Sequence, residues 1–207
     1  FNTLLRSGTT GSDTTYERLQ ISSDTISFQD ESVEILTTTQ KIRDFSAWYH
    51  FCLVWDTTNS TSGERVRMYL NGLRIADFSA ANYPSLNTDS IMSDASFPLY
   101  IGKNSVAEPR NLDGYLAEWI FIDGSALTAS SFGEFNSDGV WIPTDPSTLT
   151  FGTAGYWLDF EDSSDLGNDV SGNNNDFTST GLTASDQTLD TPTDSGTTIG
   201  NLATWNP

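Results

Sequence analysis

The sequence is poor in the residues that build metal or redox centres. Its 207 residues include one cysteine, Cys52, and one histidine, His50. A single cysteine forms no internal disulfide, and one histidine cannot build a histidine-rich zinc site. No motif marks a serine or cysteine nucleophile for His50 to activate. We therefore expect Cys52 and His50 to be structural residues of the apolar strand that contains them.

Cations are absent from the second part of the chain, because every lysine and arginine lies at or before Arg110. Residues 1–110 carry 9 cations against 13 acids, a net charge of −4, and residues 111–207 carry 15 acids alone, a net charge of −15. A cation-free face repels phosphate, so we expect no nucleic-acid partner. Two interpretations of the acids stay open. Most form a solvated surface that salt screens, or some of them hold Ca²⁺.

Long apolar runs are also missing. No stretch approaches the roughly 20 residues that a membrane helix needs, so we expect no membrane insertion. The first five residues, Phe-Asn-Thr-Leu-Leu, contain neither an initiator methionine nor a signal-peptide pattern. We expect the chain to begin inside a longer protein.

Short apolar segments separated by Gly, Asn, Asp and Ser predict an all-β protein. Residues 48–55 are apolar on both faces, which is typical of a central strand. Residues 65–70 alternate polar and apolar, which predicts one buried face, and Asn71-Gly72 fits a type I′ hairpin turn. A helical turn at 128–135 is expected to pack Phe132 and Phe135 under a sheet. The predicted strands are 3–6, 16–21, 25–29, 33–37, 48–55, 65–70, 73–78, 99–102, 115–123, 148–151, 156–160 and 176–180.

The order of these segments resembles a known family. Residues 45–56 (Phe-Ser-Ala-Trp-Tyr-His-Phe-Cys-Leu-Val-Trp-Asp) and 66–72 (Val-Arg-Met-Tyr-Leu-Asn-Gly) are similar to the core of laminin-G-like domains of the concanavalin A-like superfamily. Residues 98–102, 112–123 and 127–135 resemble the segments that follow. The resemblance covers roughly residues 16–160. It implies an antiparallel jelly-roll β-sandwich with one short helical turn.

Composition suggests a division of the chain, because from about Asp186 it is rich in Thr and Asp and short of apolar residues. We expect residues 1–182 to form the laminin-G-like sandwich and residues 183–207 to form a polar C-terminal tail or docking segment. Trp205 is a large apolar side chain in this otherwise polar tail. We therefore predict that Trp205 docks onto a partner.

A narrower similarity concerns residues 156–177 and 186–192. Both segments resemble parts of structural and tail-associated proteins of marine tailed bacteriophages. The resemblance implies a virion protein located at the extracellular surface of the particle. Its expected partners are a glycan or host surface receptor and other virion proteins. Further copies of the chain, forming a homo-oligomer, are another expected partner.

Aromatic residues near turns and strand ends are candidates for stacking against a sugar. Tyr83, Trp141 and Tyr156 have this position, and neighbouring Asp and Asn side chains would bond the sugar hydroxyls. The alternative is that these rings belong to the core or to its edge, which is common for tryptophan in all-β domains.

One acidic segment, residues 165–176, is the best candidate for a metal site. It is rich in oxygen ligands, and Gly172 allows a tight loop. Its candidate calcium ligands are Asp165, Asn168, Asp169 and Asp176. The spacing is not that of an EF-hand. The alternative is a turn held by Asx hydrogen bonds, which the sequence favours modestly.

Catalytic carboxylates are not indicated. The glycosidases of the superfamily that the chain resembles use a Glu-x-Asp-x-x-Glu pattern, and the sequence has none. We therefore expect a protein that is not an enzyme. Two hypotheses remain: a lectin-like module for glycan or receptor binding and adhesion, or a structural decoration or assembly protein of a phage capsid or tail.

Overall fold

The computed structural model of the protein describes residues 2–9, 15–44, 46–104 and 111–188. The described residues form short antiparallel β-strands, with helix only as 3₁₀ turns. The strands are β1 Asn2–Gly8, β2 Tyr16–Ser22, β3 Thr25–Asp30, β4 Val33–Thr38, β5 Phe51–Trp55, β6 Val66–Leu70, β7 Leu73–Arg74, β8 Phe78–Ala81, β9 Leu99–Ile101, β10 Trp119–Phe121, β11 Gly133–Phe135, β12 Trp141–Pro143 and β13 Tyr156–Leu158. The 3₁₀ turns are Ser62–Glu64, Ile91–Ser93, Ala129–Ser131, Pro146–Thr148 and Ala184–Asp186. None of the helices in the described ranges is long and apolar enough to cross a membrane. The predicted all-β antiparallel class is confirmed.

The chain divides into two compact units, Phe1–Gly114 and Tyr115–Pro207. The first unit contains β1 to β9, and the second contains β10 to β13. This division differs from the predicted one, in which residues 183–207 form a tail. The predicted boundary between residues 182 and 183 stays a prediction.

Six strands of the first unit form one sheet in the order β8-β4-β3-β2-β1-β9. The register pairs Leu5 with Leu19, Leu19 with Phe28, and Phe28 with Leu36. Directly opposed residues lie on the same face of a sheet. These four side chains therefore form one apolar row, and all four are buried. We call this side of the six-stranded sheet the inner face.

The inner face packs against a three-stranded sheet of order β5-β6-β7. Phe28 meets Trp55 of β5 edge to face, with ring centroids 5.9 Å apart. Val66 and Met68 of β6 are almost completely buried, as the alternation in residues 65–70 predicts. The two sheets form a sandwich core within the first unit.

The outer side of β5 is covered too. Cys52 and Val54 are buried although they alternate with Phe51, Leu53 and Trp55 along the strand. Both faces of β5 are thus sheltered, but in the described part of the chain β5 pairs only with β6 and lies at the edge of its sheet, so the prediction of a central strand is wrong. Burial raises the pKa of the Cys52 thiol to about 12, and the nearby Arg67 charge offsets part of that rise. Cys52 is therefore a small apolar core residue.

The β6–β7 hairpin closes on Asn71 and Gly72, whose φ angles are 47° and 77°. Both central positions of a type I′ turn need positive φ, which Asn and Gly adopt most easily. The Asn71 side chain also accepts a hydrogen bond from the backbone N–H of His50 at 2.8 Å, and the Asn71 N–H donates to the His50 carbonyl at 2.8 Å. The turn thus fixes the chain as it enters β5.

The second unit has a small aromatic core. Strand β10 pairs with β13, and β11 pairs with β12. Tyr156 is 3% exposed, stacks on Phe121 at 5.4 Å and meets Phe177 edge to face at 4.8 Å. These rings hold the β10–β13 ladder to the segment that follows it.

Two predicted strands are not strands. Residues 146–148 form a 3₁₀ turn, since Pro146 fixes φ near the helical value and Asp145 accepts the N–H of Ser147 at 2.8 Å. Residues 176–180 are irregular, and the Phe177 N–H donates to the Gly167 carbonyl at 2.8 Å rather than to a neighbouring strand. The apolar residues that suggested strands there serve the aromatic core instead.

The helical turn predicted at 128–135 is shorter than expected. Only Ala129–Ser131 is helical, and β11 begins at Gly133. Phe135 is 48% exposed, so the prediction that it packs under a sheet is wrong. In the described part of the chain β11 pairs with β12 alone, and Phe135 meets Trp141 of that ladder edge to face rather than a larger sheet.

One buried acid stands out in the first unit. Glu17 of β2 is 2% exposed, lies opposite Asp30 of β3, and accepts a hydrogen bond from Ser90 Oγ at 2.5 Å. Burial raises the pKa of Glu17 to about 7; the Ser90 hydrogen bond lowers it in part, and the Asp30 charge raises it further. Glu17 thereby holds the 3₁₀ turn Ile91–Ser93 against the sheet. The same burial makes its carboxyl group harder to ionise than an exposed one.

We predict that Glu17→Gln reduces the loss of stability toward neutral pH. The folded-state pKa of Glu17 lies above its ordinary 4.5, so its favourable contribution is complete below about pH 4.5 and is lost as the pH rises through about 7. The difference is on the order of 3 kcal/mol. Urea unfolding from acid to neutral pH should show a flatter profile for Glu17→Gln than for wild type. The exposed-site control Glu134→Gln should follow wild type, and parallel profiles for all three proteins would contradict the assignment.

Candidate functional site

The outer face of the six-stranded sheet carries a continuous line of hydrogen-bonded polar side chains. Alternation places polar residues of β2 opposite the apolar ones that form the inner face. The register then sets Arg18 opposite Gln29 and Gln29 opposite Glu34. We call the line the polar row. Its members are Asn104, Arg18, Gln29, Glu34 and Thr37.

Each member of the polar row is oriented by its neighbour. The Arg18 guanidinium donates to Asn104 Oδ1 at 3.1 Å and to Gln29 Oε1 at 2.6 Å. The Gln29 amide donates to Glu34 Oε1 at 3.3 Å, and Thr37 Oγ1 donates to Glu34 Oε2 at 2.9 Å. Side chains held in this way lose little further freedom when a ligand binds, which lowers the entropic cost of recognition.

An aromatic ring flanks the row. The Arg18 guanidinium carbon lies 5.1 Å from the centroid of the Tyr16 ring, and that of Arg6 lies 5.4 Å from it. Arg6 is 1% exposed, whereas Tyr16 and Gln29 are half-buried and Glu34 is exposed. Within the row, Asn104 is 1% exposed and Arg18 is half-buried, so the accessible part runs from Arg18 on β2 through Gln29 to Glu34 on β4.

The chemistry of the accessible part suits hydroxyl groups. A hydroxyl donates one hydrogen bond and accepts others, an amide offers both functions, a guanidinium only donates and a carboxylate only accepts. Gln29, Arg18 and Glu34 present all three kinds of group along one line. Such a set can bond a chain of adjacent hydroxyls, as in a saccharide.

Tyr83, one of the predicted stacking residues, lies in the first unit. It is half-buried in the loop after β8, and its ring is in van der Waals range of Gly63, where an added Cβ would sit 3.9 Å from the ring. One part of the ring remains accessible. Its use as a sugar platform stays a prediction.

The other two predicted stacking residues lie in the second unit. Trp141 is half-buried on β12 and meets Phe135 edge to face at 5.0 Å. Tyr156 is enclosed by Phe121 and Phe177, so it is a core residue and offers no ring face to a ligand. Burial also raises the pKa of the Tyr156 hydroxyl. The structure thus leaves Trp141 as the accessible member of this pair.

The acidic segment 165–176 is organised around Asp169, which is 5% exposed. Asp169 Oδ1 accepts the N–H groups of Trp157 at 2.8 Å and Ser171 at 2.9 Å. Asp169 Oδ2 accepts Ser171 Oγ and the Asn175 N–H, both at 2.9 Å. Burial alone would raise the pKa of Asp169, but these hydrogen bonds to the charged form outweigh it and hold the pKa below its usual range.

The remaining candidate ligands also serve the loop. Asp176 Oδ1 accepts the Asp169 N–H at 2.9 Å, and Asp165 Oδ1 accepts the Gly167 N–H at 3.3 Å. The Asn168 N–H donates to the Asp165 carbonyl at 3.1 Å. This is the Asx-turn arrangement that the sequence favoured over a cation site. Among the described residues, no group of three or more His, Cys, Asp or Glu side chains is arranged to hold a metal ion, and calcium binding stays a prediction.

Two asparagines join the acidic loop to the turn before β13. Asn173 Nδ2 donates to the carbonyls of Gly152 and Gly155, and Asn175 Nδ2 donates to those of Thr153 and Gly155. The turn is so tight that a Cβ on Gly155 would lie 1.8 Å from the Phe151 carbonyl oxygen. The loop therefore acts as a clamp on β13.

Glu118 is the half-buried carboxylate at the end of the β10–β13 ladder. It accepts the indole N–H of Trp157 at 2.7 Å. Burial raises its pKa, the Trp157 hydrogen bond lowers it in part, and the charges of Asp159, Glu161 and Asp145 raise it further. Its direct partner is the half-buried Trp157, whose ring also stacks on Phe151, so its evident task is to orient that ring.

Sequence reasoning missed the polar row, although the signal was available in part. The alternation in residues 16–21 places Tyr16, Arg18 and Gln20 on one face, but it does not say which residues of β3 and β4 face them. The predicted docking residue Trp205 lies outside the described residues, and its role stays a prediction.

Comparison with protein families assigns the chain to a superfamily. A laminin-G family model, described as the concanavalin A-like lectin/glucanases superfamily, matches residues 3–132, which is more than half of the chain. The chain belongs to this superfamily. The matched span contains the whole polar row and Tyr83, whereas Trp141 and the acidic loop of this superfamily member lie after it. No curated protein and no solved structure matched the chain.

We predict that Asp169→Ala costs on the order of 3 kcal/mol in the free energy of unfolding. The substitution leaves three part-buried backbone N–H groups without their acceptor. A buried group left unsatisfied costs about 1–3 kcal/mol, and partial exposure reduces that cost. Asp165→Ala is the matched control on the same loop, because Asp165 accepts one N–H, from an exposed position. Equal losses for the two variants in urea unfolding would contradict the central role of Asp169.

Proposed function

We propose that the protein is a non-enzymatic carbohydrate-binding module that acts in adhesion, and that the polar row is its glycan-binding surface. Membership of a lectin-like superfamily supports carbohydrate binding or adhesion as the general kind of role. The single observation that carries the proposal is the hydrogen-bonded line from Arg18 through Gln29 to Glu34 on an outer sheet face. It offers fixed donors and acceptors over three neighbouring strands.

Binding without catalysis is supported by the surroundings of the sheltered carboxyl groups whose pKa values are raised, which are Glu17, Asp30 and Glu118. Glu17 is enclosed and bonded to Ser90, and Glu118 is bonded to the Trp157 indole. A hydrolase needs two carboxyl groups facing the same substrate bond. Glu17 lies opposite Asp30, but Glu17 is enclosed and no substrate can reach it, and Glu118 is committed to the Trp157 indole.

The proposed setting is the surface of a virus particle. The resemblance of residues 156–177 and 186–192 to segments of phage structural and tail-associated proteins supports this location. A polysaccharide or another glycan of the host surface is then the proposed ligand. The net charge of −19 keeps the module soluble and away from nucleic acid.

A second candidate function is a structural decoration or assembly protein. The β11–β12 hairpin favours it, because Phe135 at the end of β11 is 48% exposed and Val140 in the connecting turn is 56% exposed. Exposed apolar groups next to one another are typical of protein contact surfaces. This candidate needs other virion proteins, or further copies of the chain, as partners.

The proposal is tested on an array of bacterial surface polysaccharides and hexose and N-acetylhexosamine oligosaccharides, using the full chain. We expect retention on a subset of them. Gln29→Ala removes the amide that joins Arg18 to Glu34, and the affinity should fall by about ten-fold, as for the loss of a hydrogen bond to a charged group. The matched control is Gln40→Ala, whose side chain is exposed and outside the row; it should bind like wild type.

A blank array contradicts the proposal, and a blank array from a chain that elutes as a multimer favours the second candidate. Binding that Gln29→Ala leaves unchanged contradicts the polar row as the site. An equal fall in binding for Gln40→Ala also contradicts the polar row as the site.

A further inference from the structure

The outer edge of β5 has no neighbouring strand in the described part of the chain, because β5 pairs with β6 alone. At the end of this ladder the Asp56 N–H donates to the Arg65 carbonyl at 2.6 Å. Hydrogen-bonded pairs alternate with non-hydrogen-bonded pairs along an antiparallel ladder, so the N–H and C=O groups of Cys52 and Val54 also point to β6. The backbone groups of the alternate residues point to the free edge, and these residues are Phe51, Leu53 and Trp55.

Strand β5 lacks the protection that the other edge strands of the first unit have. An unpaired edge is a template for a further strand, so edge strands are commonly short, charged, irregular in register or next to proline. Strand β7 has two residues, one of them Arg74, and β9 has three residues and follows Pro98. The register of β8 is shifted against β4. Strand β5 has five residues, none charged and none proline, in an unbroken register with β6.

The side chains along this edge are apolar and keep some contact with solvent. Phe51, Leu53 and Trp55 are each half-buried, whereas Cys52 and Val54 are buried. Residues 46–55 contain no charged side chain, in a chain that has 28 acids. A strand that is apolar on both faces is typical of the middle of a sheet. Addition of a strand to the free edge gives β5 that position.

The order of residues in β5 suits a second copy of the same strand. Antiparallel pairing about a two-fold axis at Leu53 sets Leu53 of one copy opposite Leu53 of the other, and Phe51 opposite Trp55. All of these residues face the free edge, so each pair can exchange two backbone hydrogen bonds. The next residues outward set His50 opposite Asp56, so no two acids meet along the paired strands.

We propose that the outer edge of β5 is a dimer interface, and that its occupant is β5 of a second copy of this chain. The two three-stranded sheets then form one sheet of order β7-β6-β5-β5-β6-β7. The same surface serves both copies, which is the closed arrangement found in most homodimers. The polar row lies on the six-stranded sheet, so the inference does not depend on the proposed function.

The first test is sedimentation velocity of the full chain without a ligand at micromolar concentrations. We expect a dimer, and a chain that stays monomeric overturns the inference. Leu53→Lys and Leu53→Glu each place two like charges directly opposite one another across the axis, so each variant alone should be monomeric. An equimolar mixture of the two should dimerise, because Lys then lies opposite Glu.

The matched control for these variants is Leu73→Lys. Leu73 is 64% exposed on β7, at the opposite edge of the same sheet, so this variant should dimerise like wild type. Wild-type dimerisation of Leu53→Lys alone and of Leu53→Glu alone overturns the inference, and so does an equal loss of dimer in Leu73→Lys.

A disulfide test avoids a charge in the strand. Opposed residues of a hydrogen-bonded pair have Cα atoms about 5.5 Å apart, which is within the range that a disulfide spans. With Cys52→Ala removing the native thiol, Leu53→Cys should form a covalent dimer in oxidised glutathione, and the control Leu73→Cys should not. Absence of the covalent Leu53→Cys dimer, or equal cross-linking of Leu73→Cys, overturns the inference.

Discussion

The contact between Phe28 and Trp55 is the interaction on which the first unit depends. It joins β3, a middle strand of the six-stranded sheet, to β5 at the edge of the three-stranded sheet. Burying a side chain of this size is worth about 1.5–3 kcal/mol, and edge-to-face geometry adds roughly 0.5–1.5 kcal/mol. Because β-strand side chains alternate, fixing Phe28 inward also fixes Gln29 outward. The polar row is therefore a geometric consequence of the core.

This division of the two faces explains how one sheet can hold the fold and also bind a ligand. The inner face is closed and mainly apolar, with Glu17 as its buried acid, while the row from Arg18 to Glu34 bonds mainly within itself. Exposed polar groups of this kind add little to stability. The second unit is organised around Asp169. Its carboxylate accepts hydrogen bonds from three backbone N–H groups, one of which belongs to β13, and so holds β13 in place.

The sequence predicts the features that depend on neighbouring residues. Alternation places Val66 and Met68 inside, and Asn71-Gly72 closes its hairpin, because both signals are local. The sequence does not predict contacts between distant segments. The meeting of Gln29 with Glu34 depends on a register shift after Phe28, and Tyr156 is buried by partners over thirty residues before it and over twenty after it. Composition identifies the acidic loop. It does not predict the direction in which the carboxylates face, because that direction depends on backbone N–H donors, including the Trp157 N–H of β13.

The central claim is that the inner face stabilises the first unit and the polar row does not. Urea unfolding of Leu36→Ala and Gln29→Ala, two neighbours in the same sheet that face opposite ways, tests it most directly. The account predicts a loss of about 2–5 kcal/mol for Leu36→Ala, which empties a buried site, and of less than about 1 kcal/mol for Gln29→Ala. Equal losses would contradict it, because the polar row would then be part of what holds the sheet together.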